Sequence, residues 1–350
     1  MRKVKKRAVG VALFALLSVA VAACGGGGGE DTAKEAFTNL KPGEVSIYCT
    51  GECAKALAVT PEEREVKCKV GVSWSDTSFP YGAAALERTR EAAKDFPNME
   101  VFTTDGQGDA VTQSSQVEDL VAKGIEVLVI SALDEKSLAP AVEKAEAKGV
   151  KVIASDRNVA APVETYVGAD NVEDGEVAGE YVVELLDNGK GNVVLLQGSL
   201  GASPTIDRGK GFKAVLSKSP GAKIIAEPSA NYDRQEGLSV MQDMLQRFGP
   251  GEIDVVFAEN DEMSLGAIQA IREADRQDEI KVVGIDGQES ALRQIKAGQY
   301  AGTVVYPLPV PEHLNAAAKI CSGEQLPERI KQAAPLVTED NVAKYEGTTF

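Results

Sequence analysis

Histidine is nearly missing from this chain: among 350 residues only His313 carries an imidazole. It stands in Pro309-Val310-Pro311-Glu312-His313-Leu314, with no cysteine or carboxylate pair at metal-ligand spacing, and reads as a solvent-exposed or capping residue near the start of a helix. There is no Gly-x-Ser-x-Gly elbow for nucleophilic acyl transfer. No Gly-rich phosphate loop is present either, and Gly106-Gln107-Gly108 lacks the third glycine of a dinucleotide fingerprint. Acids are abundant, but abundance nominates no acid and base pair. These absences point away from an enzyme, with no cofactor and no metal site expected. Long apolar runs are lacking too. Ala8 to Ala22 falls short of the ~20 residues that a membrane-spanning helix needs.

That short run follows five basic residues between Met1 and Arg7 and leads into Val21-Ala22-Ala23-Cys24. The arrangement resembles a bacterial lipoprotein signal, which implies removal of residues 1–23 and acylation of Cys24 as the first mature residue. The chain is then exported and attached to the cell membrane by a lipid. Gly25 to Gly29 and the polar residues after them, through Lys34, read as a flexible tether that lets a folded body range above the membrane. The mature chain has 350 − 23 = 327 residues and a formal charge of (37 − 5) − 53 = −21. With no basic stripe left, nucleic acid is excluded as a partner, and an anionic lipid surface would repel the folded body. The length favours two domains.

Four further cysteines, Cys49, Cys53, Cys68 and Cys321, suit disulfides in an exported protein. They allow three pairings, among which the sequence does not choose. The C-x3-C of Cys49 and Cys53, without a second close pair, is a poor zinc pattern. The cysteines are expected to act as staples that fasten the segment before residue 68 to the main body.

From Cys68 onward, short apolar runs alternate with amphipathic stretches, the βα pattern of an α/β protein. Strands are expected at 69–74, 100–104, 127–131, 150–155, 164–167, 192–196, 223–227, 254–258, 281–285 and 302–306. Helices are expected at 83–94, 111–122, 172–186, 235–247 and 263–274. Ten strands exceed what one compact sheet usually carries, so two doubly wound parallel sheets in two lobes are predicted. Residues 35–67 show no such rhythm and read as an irregular extension pinned by its cysteines.

Several strands end in a polar residue: Asp156, Gln197, Asn260 and Asp286. Open parallel sheets bind ligands at those ends, although each residue alone also suits a helix N-cap. Arg157 follows Asp156, and Arg208 stands in a Gly-Ala-Ser-Pro-Thr-Ile-Asp-Arg-Gly loop just ahead of a helix. Guanidinium forks and carboxylates together match the neighbouring hydroxyls of a polyol. Phe79, Tyr81 and Tyr232, set among polar loop residues, offer apolar faces to the C–H side of a sugar, whereas Trp74 reads as core.

With these residues in view, the stretch from Cys68 onward resembles the ribose-binding-protein group of type I periplasmic sugar receptors, which share their fold with LacI-type repressor cores. The resemblance is carried by Phe257-Ala258-Glu259-Asn260-Asp261-Glu262-Met263, Val283-Gly284-Ile285-Asp286-Gly287, Asp156-Arg157, Gly168-Ala169-Asp170-Asn171 and Asn231-Tyr232-Asp233-Arg234 followed by Gly237-Leu238. It implies two α/β lobes, residues 68–170 with 307–335 and residues 171–306 with 336–350. They would close on one sugar about a three-segment hinge near Asp170, Tyr306 and Pro335. It also implies a monomer that delivers its sugar to the membrane permease of an ABC importer, with a chemotaxis or kinase sensor as an alternative recipient. Asp156, Arg157, Arg208, Asn260 and Asp286 would bond hydroxyls, and Tyr232 would stack on the ring. The chain departs from the pattern at Ser78-Phe79-Pro80-Tyr81, at Ser131 in place of an asparagine, and at Tyr306 in place of a glutamine. The last two face the ligand in the family. These changes put ribose itself in doubt and leave a neutral monosaccharide or polyol. A DNA-binding regulator of the same fold would need a basic helix-turn-helix where the signal and tether stand.

Overall fold

A computed structural model describes residues 40–350 except Pro42. The lipoprotein signal, Cys24 and the glycine tether lie outside the described residues. Two six-stranded sheets carry the same winding. The first contains β1 (Cys68–Trp74), β2 (Met99–Asp105), β3 (Val127–Ile130), β4 (Lys151–Ser155), β5 (Thr165–Gly168) and β11 (Arg329–Lys331), in the order β11-β5-β4-β3-β1-β2. The second contains β6 (Gly191–Leu196), β7 (Ala222–Ala226), β8 (Val255–Ala258), β9 (Lys281–Asp286), β10 (Gly302–Val305) and β12 (Leu336–Thr338), in the order β12-β10-β9-β8-β6-β7. Each pairing is parallel except that of β10 with β12. Strands such as Val127–Ile130 and Val255–Ala258 are buried along their whole length, as strands covered by helices on both faces must be.

In the first lobe the covering helices are α3 (Pro80–Ala92), α4 (Ala110–Ala122), α5 (Ala139–Ala147) and α11 (Glu312–Cys321). In the second they are α6 (Asn171–Leu185), α7 (Ser203–Leu216), α8 (Arg234–Arg247), α9 (Asp261–Glu273) and α10 (Glu289–Lys296). The chain passes between the sheets three times, at 169–170, after Val305, and between Lys331 and Leu336.

The segment read as irregular contains two short helices, α1 (Glu52–Leu57) and α2 (Pro61–Arg64). They are too short for an apolar period to register. The second is set instead by Pro61 in its first turn and a capping box between Thr60 and Glu63. The disulfides also differ from expectation. Cys49–Cys53 closes a loop within this segment, and Cys68–Cys321 ties β1 to the end of α11, so neither fastens the segment to the body. Non-covalent contacts do that work. Ser46 donates its N–H to the Glu312 carboxylate at 2.6 Å, Lys319 pairs with Glu63 at 2.9 Å, and Leu57 is fully buried in the first-lobe core.

His313 is neither exposed nor a cap. It is fully buried on α11, edge-on to Trp74 at 5.8 Å and 3.3 Å from the Thr89 hydroxyl. Burial pushes its imidazole down to about 3, so it is a neutral core residue. Its α11 neighbours Leu314, Ala316 and Ala317 are core residues too, and the helix sinks as a whole.

Candidate functional site

The carboxyl ends of the strands in the two sheets face one cavity of about 60 Å³, lined by Trp74, Ser75, Asp76, Phe79, Tyr81, Gly82, Asp156, Arg157, Pro204, Arg208, Tyr232, Asn260, Asp286 and Tyr306. That is the liquid volume of about two waters, so a sugar ring enters this space only as the lining side chains or the lobes give way. The lobes also touch directly beside it. Asn158 donates its N–H to the Ser203 hydroxyl at 2.8 Å, and Glu135 N–H to the Gly201 carbonyl at 3.1 Å.

Arg208 is the best-fixed group. It lies inside α7, not in a loop ahead of a helix. Ser203-Pro204 opens that helix, because proline in the first turn needs no N–H partner. Glycines let α6 and α7 approach closely around it: a Cβ on Gly175 would sit 2.1 Å from the Arg208 carbonyl oxygen, and one on Gly211 would sit 1.9 Å from that of Val172. The guanidinium donates from Nε to Asn171 Oδ1 at 2.9 Å and from Nη1 to the Glu259 carbonyl. Nη2 has no hydrogen-bond partner among the described residues. Burial disfavours the charge, but Tyr232, Tyr306, Asp286 and Asp174 outweigh it and hold the guanidinium more firmly protonated than usual.

Around it the acids respond in the opposite sense. Burial raises the Asp286 and Asp174 carboxyls well above the usual carboxylate range, against the pull of Arg208. Burial also lifts Glu259 to about 8, although Gly198 N–H donates to its Oε2 at 2.8 Å.

Asp156 is held on every side. Its backbone is left-handed at φ 66°. Its carbonyl accepts from Tyr166 Oη and Tyr306 Oη, both at 2.9 Å, and its Oδ2 accepts from Ser131 Oγ at 2.6 Å. Oδ1 accepts no hydrogen bond among the described residues. Ser131 therefore orients Asp156 from behind and does not line the cavity. Arg157 is looser, 3.8 Å from Asp156, 3.3 Å from the Leu133 carbonyl, and over the Tyr232 ring across the cleft at 5.7 Å.

Tyr306 packs between the Arg208 guanidinium, 4.4 Å from its ring, and Tyr81 at 5.5 Å. Asn171 Nδ2 donates to its hydroxyl at 3.2 Å, so Asn171 holds Arg208 and Tyr306 together. Tyr232 is seated by a 2.7 Å bond to Thr205. Asn260 spends much of its amide on structure, capping α9 through Met263 N–H and donating to the Tyr232 carbonyl at 3.2 Å. Asp156 caps no helix, whereas Asp286 Oδ2 accepts the N–H of Asp261, the first residue of α9, at 3.4 Å.

Of the residues expected from sequence, all but Ser78 and Ser131 line the cavity. Ser78 is exposed and donates to Asp76 Oδ1 at 2.7 Å, and Gln197, another polar strand end, lies outside as well. Sequence reasoning missed Ser75, Asp76, Gly82 and Pro204 and placed Trp74 in the core alone. Trp74 is buried there, yet it lines the cavity and its Nε1 donor has no hydrogen-bond partner among the described residues. Its place at the carboxyl end of β1 was the available signal.

Residues 70–311 match the model of the periplasmic binding protein domain. The chain is 37% identical over 251 residues to a xylitol-binding protein of Mycolicibacterium smegmatis, covering 70% of each. It is 36% identical to the ribose import binding protein RbsB of Bacillus subtilis, over 77% of this chain and 86% of that one. Among solved structures, an ABC transporter solute-binding protein from Mycobacterium smegmatis with bound glycerol superimposes with a TM-score of 0.75 at 34% identity, covering 80% of this chain and 97% of that one. Two like-wound lobes, polar strand ends gathered at one cavity and these relatives agree: the chain belongs to the type I periplasmic sugar-binding proteins.

Proposed function

We propose that this protein is a lipid-anchored extracytoplasmic receptor that captures one neutral monosaccharide or polyol between its lobes and delivers it to an ABC importer. The observation that carries the reading is the set of free polar positions at the cavity. Asp156 Oδ1 and Arg157 come from one lobe, and Asp286 Oδ1 and Arg208 Nη2 from the other. Donors and acceptors from both sides suit hydroxyls, which do both. Tyr81, Tyr232 and Tyr306 supply the apolar faces. A polyol touching both lobes at once stabilises the closed arrangement by its differential affinity, and that shift in population is the signal offered to the permease. Nothing in this scheme breaks a bond in the ligand, so the protein returns it unchanged.

Thermal melting of the purified protein against pentoses, hexoses, inositols and acyclic polyols tests the proposal. A ligand at a hundredfold excess over its Kd should stabilise by about 2.7 kcal/mol. If no neutral sugar or polyol raises the transition, the ligand class is wrong. Chemical change of a bound sugar would replace the receptor reading by a carbohydrate-active enzyme.

A further inference from the structure

Two neighbouring residues ahead of the first strand are buried in different lobes. The Tyr48 ring, 4% exposed, belongs to the apolar core of the second lobe with Val337 and Val342, and its hydroxyl lies 2.9 Å from Thr348 Oγ1. Cys49, 2% exposed, belongs to the core of the first lobe with Leu308 and Leu314, held there within the Cys49–Cys53 loop. Between them the backbone touches the third hinge crossing, where Ala333 donates its N–H to the Tyr48 carbonyl at 2.7 Å. On the first-lobe side, Glu312 and Asn315 hold Ser46 and Glu44.

From this placement we infer that residues 44–49 form a fourth pivot across the hinge, and that Tyr48 is a positioning residue that limits how far the lobes separate. The argument is one of reach. Consecutive Cα atoms lie ~3.8 Å apart, so the two cores cannot part at this flank unless Tyr48 or Cys49 leaves its seat. Unseating Tyr48 exposes a large ring and gives up its hydroxyl bond, whereas opening at the far lip of the cleft costs neither. The lobes therefore swing about this flank, and the cleft gapes at its other side. Phe350 makes a looser second link. Its carbonyl accepts from Glu289 N–H in the second lobe at 2.9 Å, and its half-buried ring meets Tyr81 at 5.3 Å. No side-chain hydrogen bond pins that ring.

The inference rests on the two-lobe receptor reading, and its test uses no ligand, so a failed sugar panel leaves the result standing. Fluorescent labels at Val111→Cys and Leu200→Cys, both exposed positions and one in each lobe, report the interlobe distance in a Cys24→Ser background. The unliganded protein is expected to show a narrow distance distribution. Tyr48→Ala should lengthen the mean and broaden the spread, with the cooperative melt confirming that the variant is folded. Tyr48→Phe keeps the ring and loses only the hydroxyl bond, so its smaller shift in the same direction is readable even if the alanine variant melts early. Distributions unchanged from wild type in both variants would overturn the fourth pivot.

Discussion

Each lobe brings one arginine to the cavity from a sheet of the same strand order, yet the two are held very differently. Arg208 is buried inside a helix, bonded to Asn171 and the Glu259 carbonyl, and packed on Tyr306. Arg157 lies on the loop after β4, with a 3.3 Å bond to a carbonyl and a 3.8 Å approach to Asp156. The difference follows from position in the fold. A helix interior with glycines at its contacts fixes a side chain before any ligand arrives, and a loop leaves it to adjust. Arg208 is a preformed part of the proposed site, and Arg157 is the part left free to adjust as the cleft closes.

Alanine replacements should separate the two arginines most sharply. Arg208→Ala should abolish the sugar-induced rise in melting temperature and also lower the unliganded stability by about 3 kcal/mol, because two buried acceptors, Asn171 Oδ1 and the Glu259 carbonyl, lose their donor. Arg157→Ala should weaken binding by roughly tenfold while leaving the unliganded melt within about 0.5 kcal/mol of wild type. Equal effects of the two on the unliganded protein would erase the distinction.

The preformed part is also probed by pH. The Glu259 carboxyl is raised by burial from the ordinary 4.5 to about 8. Between those values the folded state binds more protons than the unfolded state, so this group makes stability fall as pH rises through the window. Glu259→Gln should flatten that fall, leaving the variant more stable than wild type at pH 8.5 and close to it at pH 4.5, as read by urea unfolding. An unchanged slope would remove Glu259 as its source.

The fold was largely legible in the sequence because parallel strands covered on both faces read as short runs of Val and Ile, as in β3 and β8. What stayed hidden were β11 and β12, three residues each at sheet edges, where no run is long enough to register. The site was legible where a polar residue ends a strand, as at Asp156 and Asp286. It was obscured where the same residue type serves structure. Asn260 caps a helix, Ser131 orients Asp156, and His313 fills a core. The lobe-spanning contact of Tyr48 left no trace in any periodic pattern, since it joins segments 300 residues apart.

The central claim is that one small neutral ligand is held from both lobes at once. A crystal structure of the complex with the polyol or sugar that gives the largest melting shift tests it most directly. The account predicts a single molecule hydrogen-bonded to Asp156 and Arg157 on one side and to Arg208 and Asp286 on the other. A molecule contacting only one lobe, or bound away from this cavity, would contradict it.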